Sequence, residues 1–207
     1  MIQMVTAVLA KLFFHEERKE FNEAHRELDE AGERLIGMKW KLLRSLSDSQ
    51  LVELLGREQQ QGKLLAVTEL LREESEILAA QGKADESFLQ GIKAFSLFAE
   101  LITGEKSFLK VMSVEKFDLL LHRLEQYDLP PSFERKRFRY YEITGNYGAA
   151  ENVLFELLES DPSSLKEGVS FYERLVVKSD EDLNAGGLPR NEVTDGLAEL
   201  TSRSPTL

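Results

Sequence analysis

The stretch Ile143–Pro162, ITGNYGAAENVLFELLESDP, decides how the rest of the chain is read. Gly145 stands where a helix must stop and turn, because glycine enters left-handed backbone without a Cβ penalty. Tyr147 opens a second helix two residues later, and Ala150 is small enough for two helices to cross closely. Leu154 and Leu157 continue one apolar stripe at helical spacing, and Pro162 ends the run. The spacing predicts a helical hairpin with its bend at Gly145.

The same timing recurs twice upstream. In ERKEFNEAHRELDEA (17–31), Lys19, Phe21, Ala24, Leu28 and Ala31 take the positions of Gly145, Tyr147, Ala150, Leu154 and Leu157. In QGKADESFLQGIKAF (81–95), Gly82, Ala84, Ser87, Gly91 and Ala94 do so. The three bends are 63 residues apart (82 − 19 and 145 − 82). A second motif follows each hairpin: SDSQL at Ser47, SVEKF at Ser113 and SDEDL at Ser179, 66 residues apart (113 − 47 and 179 − 113). Each begins with a serine suited to cap a helix, with an acidic or amide residue two or three places on. Leu51, Leu54 and Leu55 match Phe117, Leu120 and Leu121, whereas Ala185, Gly186 and Gly187 replace that stripe in the third copy.

Glu, Leu, Lys, Ala and Arg dominate the whole chain, and no run of alternating β-branched residues occurs. Helices are expected over 2–15, 18–35, 38–45, 48–56, 62–81, 85–102, 114–127, 131–144, 147–159 and 163–177, with a short one over 190–200. The fold class is therefore all-α, about ten helices forming one repeat domain over 1–200. Its units, each a hairpin plus a capped helix of roughly 65 residues, are 1–61, 62–127 and 128–187, with a C-terminal cap at 188–200. The segment 201–207, TSRSPTL, lacks apolar periodicity and is expected to be mobile.

The hairpin around Gly145 resembles a tetratricopeptide unit, most closely in its second half, with Tyr141 as the aromatic of the first helix. That resemblance implies a TPR-like α-α superhelix with a concave groove for a peptide or a partner helix. The usual Leu-Gly pair of the first helix is replaced by Arg137 and Phe138, so a bulky ring should push neighbouring helices apart. The segments AVLAKLFF, ERKEFNEAHRELDEA, LRSLSDSQLVELLG and LLREESEILAAQGKADESF also resemble a group of small bacterial proteins known only as a domain of unknown function. The similarity covers the first half well and the remainder loosely. It implies a helical, TPR-like fold and a bacterial, cytosolic origin, and it carries over no functional residue.

The chain of 207 residues carries a formal net charge of −11, a balance that repels phosphate backbones and argues against nucleic acid as a partner. It has no cysteine, which removes disulfides, thiolate metal sites and thiol catalysis and fits a cytoplasmic setting. The N-terminal MIQMVTAVLAKLFFHEERKEF lacks a basic n-region and a cleavage site, and its apolar run is too short to span a bilayer. Ile2, Val5, Leu9, Leu12 and Phe13 fall at helical spacing, so a buried amphipathic helix is expected there, not a membrane segment.

The positive charge concentrates in PSFERKRFRYYEITG (131–145). In the TPR-like register Arg135, Lys136, Arg139 and Glu142 face the groove, where forked arginines suit an acidic peptide. The competing reading is that they pair with neighbouring acidic helices. Trp40, the single tryptophan, is expected as a core anchor rather than an interface residue. His15, His25 and His122 have no metal-ligand spacing, so neither metal nor cofactor is expected. The pairs Glu16/Glu17 and Glu73/Glu74 read as solvated helix faces. No Walker, G-x-G-x-x-G, H-E-x-x-H or G-x-S-x-G motif occurs. The functional expectation is a non-enzymatic scaffold that binds a protein or peptide; the alternative is a structural homo-oligomer without a ligand groove, such as a homodimer, formed through the apolar N-terminal helix or the final segment. A cryptic enzyme would betray itself by a pocket of convergent polar groups with shifted acidity.

Overall fold

The computed structural model describes residues 1–57, 60–104 and 114–203, and among these it contains helices and turns but no strand. The helices are α1 (Ile2–Glu17), α2 (Phe21–Ala31), α3 (Trp40–Ser45), α4 (Asp48–Leu55), α5 (Gln61–Ala80), α6 (Ala84–Gly104), α7 (Val114–Leu124), α8 (Pro131–Thr144), α9 (Tyr147–Ser160), α10 (Leu165–Val176), α11 (Asp180–Ala185) and α12 (Arg190–Arg203). A π-helical turn, Gly32–Ile36, extends α2, and a 3₁₀ turn, Pro162–Ser164, leads into α10. Of these twelve α-helices, α12 corresponds to the short helix expected over 190–200, and α11 is the one that was not expected. Ser179 caps α11 by accepting the Asp182 N–H, while α12 runs on to Arg203, past the expected end at residue 200. The second capping serine, Ser113, and residues 204–207 of the tail lie outside the described residues.

Packing divides the chain into two compact units, Met1–Asp128 and Leu129–Leu207. In the first, α1 pairs with α2, α5 pairs with α6, and α5 also contacts α1, α2 and α4. In the second, α8 pairs with α9 and α10 with α12, around a core that includes Phe138, Leu154, Phe171, Tyr172, Leu183 and Leu200.

The three hairpin bends are one structure used three times. Lys19, Gly82 and Gly145 have φ of 57°, 74° and 86°, all left-handed. Each donates its N–H three residues back, to Glu16 (2.9 Å), Ala79 (2.9 Å) and Glu142 (3.3 Å). The following residue donates five back: Glu20 to His15 (2.8 Å), Lys83 to Leu78 (2.9 Å) and Asn146 to Tyr141 (2.9 Å). This crossed pair satisfies carbonyls that a helix end leaves open. Beyond the bends the small residues Ala24, Ser87 and Ala150 are all buried, as are Leu12, Ser75 and Phe138 on the preceding helices. In the α5–α6 hairpin the contact is polar: Ser75 Oγ donates to the Ser87 carbonyl at 2.9 Å, and Ser87 Oγ to the Ser75 carbonyl at 2.8 Å. Phe138 does not split α8 from α9. Its ring is buried edge-on against Phe171, with centroids 5.3 Å apart.

The glycines of the third capped helix have a packing role, not merely a lost stripe. A Cβ on Gly186 would lie 2.3 Å from Tyr147 Cδ2 and 2.5 Å from the Gly145 carbonyl oxygen. The Gly148 N–H donates to the Gly186 carbonyl at 2.9 Å. The end of α11 thus seats directly on the start of α9, an approach that side chains would prevent.

Two expectations about burial are corrected. On α1 the residues in the core are Val5, Val8 and Leu12, while Ile2 and Phe13 are 51% and 54% exposed. The apolar arc of that helix is wider than the strip its neighbours cover, so part of it faces out. On α5, Glu73 and Glu74 are 3% and 1% exposed, not solvated. That helix is buried at every position from Leu64 to Leu78 except Glu76, and its charges are matched internally. Arg72 lies 3.2 Å from Glu69 and 2.7 Å from Glu73, and Arg123 of α7 pairs with Glu76.

Candidate functional site

In the second unit, α8 begins with Pro131 at its first position, where a missing N–H costs nothing, and ends at Gly145. It carries the expected groove residues. Arg135 forks between Asp161 (2.5 Å) and Glu167 (3.1 Å) and donates to Ser164 Oγ at 3.2 Å. Arg139 reaches the other Glu167 oxygen at 3.4 Å, and Lys136 is half-buried on the same helix. Glu142 is held by both arms of Arg174, at 2.6 and 2.8 Å. Arg137 lies 2.9 Å from Glu134 and 2.5 Å from Glu156. The cluster is brought together, and Arg135, Arg137, Arg139 and Glu142 are engaged by opposite charges of their own unit. The pairs made by Arg135, Arg139 and Arg174 are exposed enough to contribute less than about 1 kcal/mol each, whereas Arg137 and Glu134 are mostly covered.

The first unit holds a site that the sequence did not announce. After α2 the π turn and the left-handed Gly37 (φ 85°) fold the chain back so tightly that a Cβ on Gly32 would lie 2.9 Å from the Met38 carbonyl oxygen and 3.0 Å from the Trp40 nitrogen. Two lysines pin this return. Lys63 donates to the Ile36 carbonyl at 3.0 Å, and Lys93 to the Arg44 carbonyl at 2.5 Å. Burial, then the Arg44 charge, holds the Lys93 ammonium below its ordinary pKa. Trp40 is thereby set into the core at 3% exposure, as expected of an anchor.

Between α2, α3, α5 and the α5–α6 bend lies a cavity of about 340 Å³, lined by His25, Asp29, Trp40, Lys41, Arg44, Glu74, Leu78, Lys83 and Glu86. Its buried carboxylate is Glu74, whose Oε1 lies 3.1 Å from Arg44 Nη1. Neither Glu74 oxygen receives a well-aligned hydrogen bond, and Trp40 Nε1 likewise has no well-aligned acceptor. Burial raises the Glu74 pKa above its ordinary 4.5, against the Arg44 charge and the neighbouring Trp40 N–H, which lower it. Arg44 also reaches Glu86 at 3.4 Å, and Gln81 Nε2 stands 3.1 Å from His25 Nε2. The volume falls in the range of small-ligand pockets. One sequence signal pointed this way: LLAVTELL (64–71) places apolar residues on every side of a helix, as a helix surrounded by partners requires.

Among the described residues no group of three or more His, Asp or Glu side chains could hold a metal ion, and no helix is long and apolar enough to cross a membrane. No curated protein and no solved structure matches the chain. Residues 1–204, which take in both the bends and the Trp40 cavity, match the family of unknown function DUF6483, and the chain belongs to that family.

Proposed function

We propose that this protein is a non-enzymatic binding scaffold of TPR-like hairpins that holds an acidic segment of a partner protein. The observation that carries the reading is the repeated bend at Lys19, Gly82 and Gly145, since a chain built from like helical hairpins offers helix faces more readily than a catalytic cleft. The face we favour is the start of α3, where Lys39, just before the helix, and Lys41 are exposed beside Leu42 at 49% exposure on a chain of net charge −11. On α8, by contrast, an acidic ligand must displace Asp161 and Glu167 from Arg135. Cross-linking of the tagged protein in its cells, followed by mass spectrometry, tests both. Lys39→Glu with Lys41→Glu should abolish the cross-linked partner, and Arg135→Glu with Arg139→Glu should leave it. The reverse outcome returns the groove to α8, and loss with neither pair removes the acidic-partner reading.

A second reading is favoured by α1, where Ile2 and Phe13 are half exposed and Leu9 between them is partly covered. This stripe is self-complementary in a two-fold dimer. Light scattering across a concentration series decides it, because a concentration-independent monomer ends that reading.

A further inference from the structure

The outer face of α1 is uncharged on a heavily charged protein. Charged side chains make up 30% of the chain, yet none occurs from Met1 to Ala10, and Lys11 is drawn to Glu27 at 3.1 Å. Along this face Ile2, Thr6, Leu9 and Phe13 stand four, three and four residues apart, the a/d rhythm of two helices packed side by side. The seam flanks the buried strip of Val5, Val8 and Leu12. Ile2 and Phe13 are half exposed on it, Thr6 is exposed and Leu9 is partly covered. Exposed Ala10 at its edge leaves room for a second helix to approach.

Side-chain size and charge fix the occupant and its direction. Against a copy running the opposite way, Ile2 meets Phe13 and Thr6 meets Leu9, so every layer joins a larger side chain to a smaller one. Against a copy running the same way, Phe13 meets Phe13 and Thr6 meets Thr6. The seam ends in Glu16 and Glu17, whereas the first turn of α1 has neither an acidic residue nor a side chain capping its N–H groups. Antiparallel packing brings the carboxylates of one copy towards the positive first turn of the other. Parallel packing gathers four carboxylates where burial, Glu73 and Glu76 already hold Glu16 above its ordinary pKa. A lipid surface fits less well, because interfacial helices use lysines and arginines to meet anionic lipid, and this chain carries −11.

We infer that α1 forms an antiparallel two-fold dimer in which Ile2 packs on the partner's Phe13. Its direction and register rest on the self-association reading of α1. One helix pair buries less than the roughly 800 Å² per partner of a standard interface, so the dimer dissociates on dilution.

The chain has no cysteine, so Ile2→Cys and Phe13→Cys variants each carry a single thiol. The two full-length variants are mixed in equal amounts and treated with a short bis-maleimide, and the joined peptides are identified by mass spectrometry. Links between positions 2 and 13 should exceed links between like positions at least about tenfold, because like positions lie about 16 Å apart along an antiparallel pair. Thr6→Glu sets a charge in the middle of the seam and should weaken self-association in sedimentation equilibrium at least about tenfold. Ala7→Glu, exposed but off the seam, should associate as the parent does, and the circular dichroism of both variants should match the parent. A parent that stays monomeric at every concentration ends the self-association reading itself. A dimer whose links join like positions, or one that Thr6→Glu leaves unchanged, keeps that reading and overturns the antiparallel seam. Binding of a monomeric parent to phosphatidylcholine vesicles, lost in Thr6→Glu, gives the face to a lipid surface and overturns it as well.

Discussion

Lys19 holds a left-handed conformation that its two counterparts assign to glycine, and replacing it isolates the energetics of the bend. Its φ is 57°, and it is the one non-glycine residue with positive φ among the described residues. A β-carbon in that region costs about 1–2 kcal/mol, and glycine gives back about 0.5–1 kcal/mol through the freer unfolded chain. Lys19→Gly should therefore stabilise the protein by roughly 0.5–1 kcal/mol, or about 1–4 °C in Tm for a chain of this length. Gly82→Ala is the mirror experiment. A Cβ on Gly82 meets no atom within 4 Å, so its cost is backbone conformation alone and should be of the same size with opposite sign. Lys19→Ala separates charge from conformation, because it removes the ammonium and keeps the Cβ; it should be close to neutral. Urea and thermal unfolding followed by circular dichroism measure all three. If Lys19→Gly is destabilising, or Gly82→Ala is silent, the bends are not equivalent and the reasoning from repeated timing fails.

Other outcomes follow from the packing and the buried charges. Gly196→Ala places a Cβ 2.3 Å from Tyr172 Cζ and 2.5 Å from its hydroxyl, which is itself fixed to Glu151 Oε1 at 2.5 Å; overpacking of this kind should cost about 1–3 kcal/mol in urea unfolding. Glu74 has its pKa raised by burial, so the folded chain binds the proton more tightly than the unfolded chain does. Its stabilising contribution is complete below the ordinary 4.5 and is lost as pH rises through the raised value. Glu74→Gln should consequently compare better with the parent at about pH 7 than at about pH 4, and a stability difference that does not change in that direction refutes the buried, poorly solvated carboxylate.

The legible part of this protein was what local timing encodes. Gly145, Tyr147, Ala150 and Pro162 each answer a demand made within a few residues: a left-handed turn, a helix start, a close crossing, a stop. Those demands repeat wherever the spacing repeats, and they locate the bends and most helices without reference to anything distant. Even Lys19, an unsuitable residue for its backbone, could be placed by its offset from the two glycines. Ser179 was readable as a cap in the same way, although six residues of α11 carry too little periodicity to declare a helix alone.

What only the tertiary structure decided was which faces are covered. Apolar periodicity on α1 is wider than the core needs, so Val5, Val8 and Leu12 went in and Ile2 and Phe13 stayed out, a choice made by the neighbours of α1. On α5 the charges read as solvent-facing because carboxylates usually are, yet α1, α2, α4 and α6 contact that helix and Arg44, Arg72 and Arg123 arrive to match Glu74, Glu73 and Glu76. The amino-acid sequence by itself determined an all-α chain with three like bends. The Trp40 cavity and the internal pairing of the α8 arginines depended on residues up to tens of positions apart meeting in space, and the burial of a charge is set by that meeting rather than by its local neighbours.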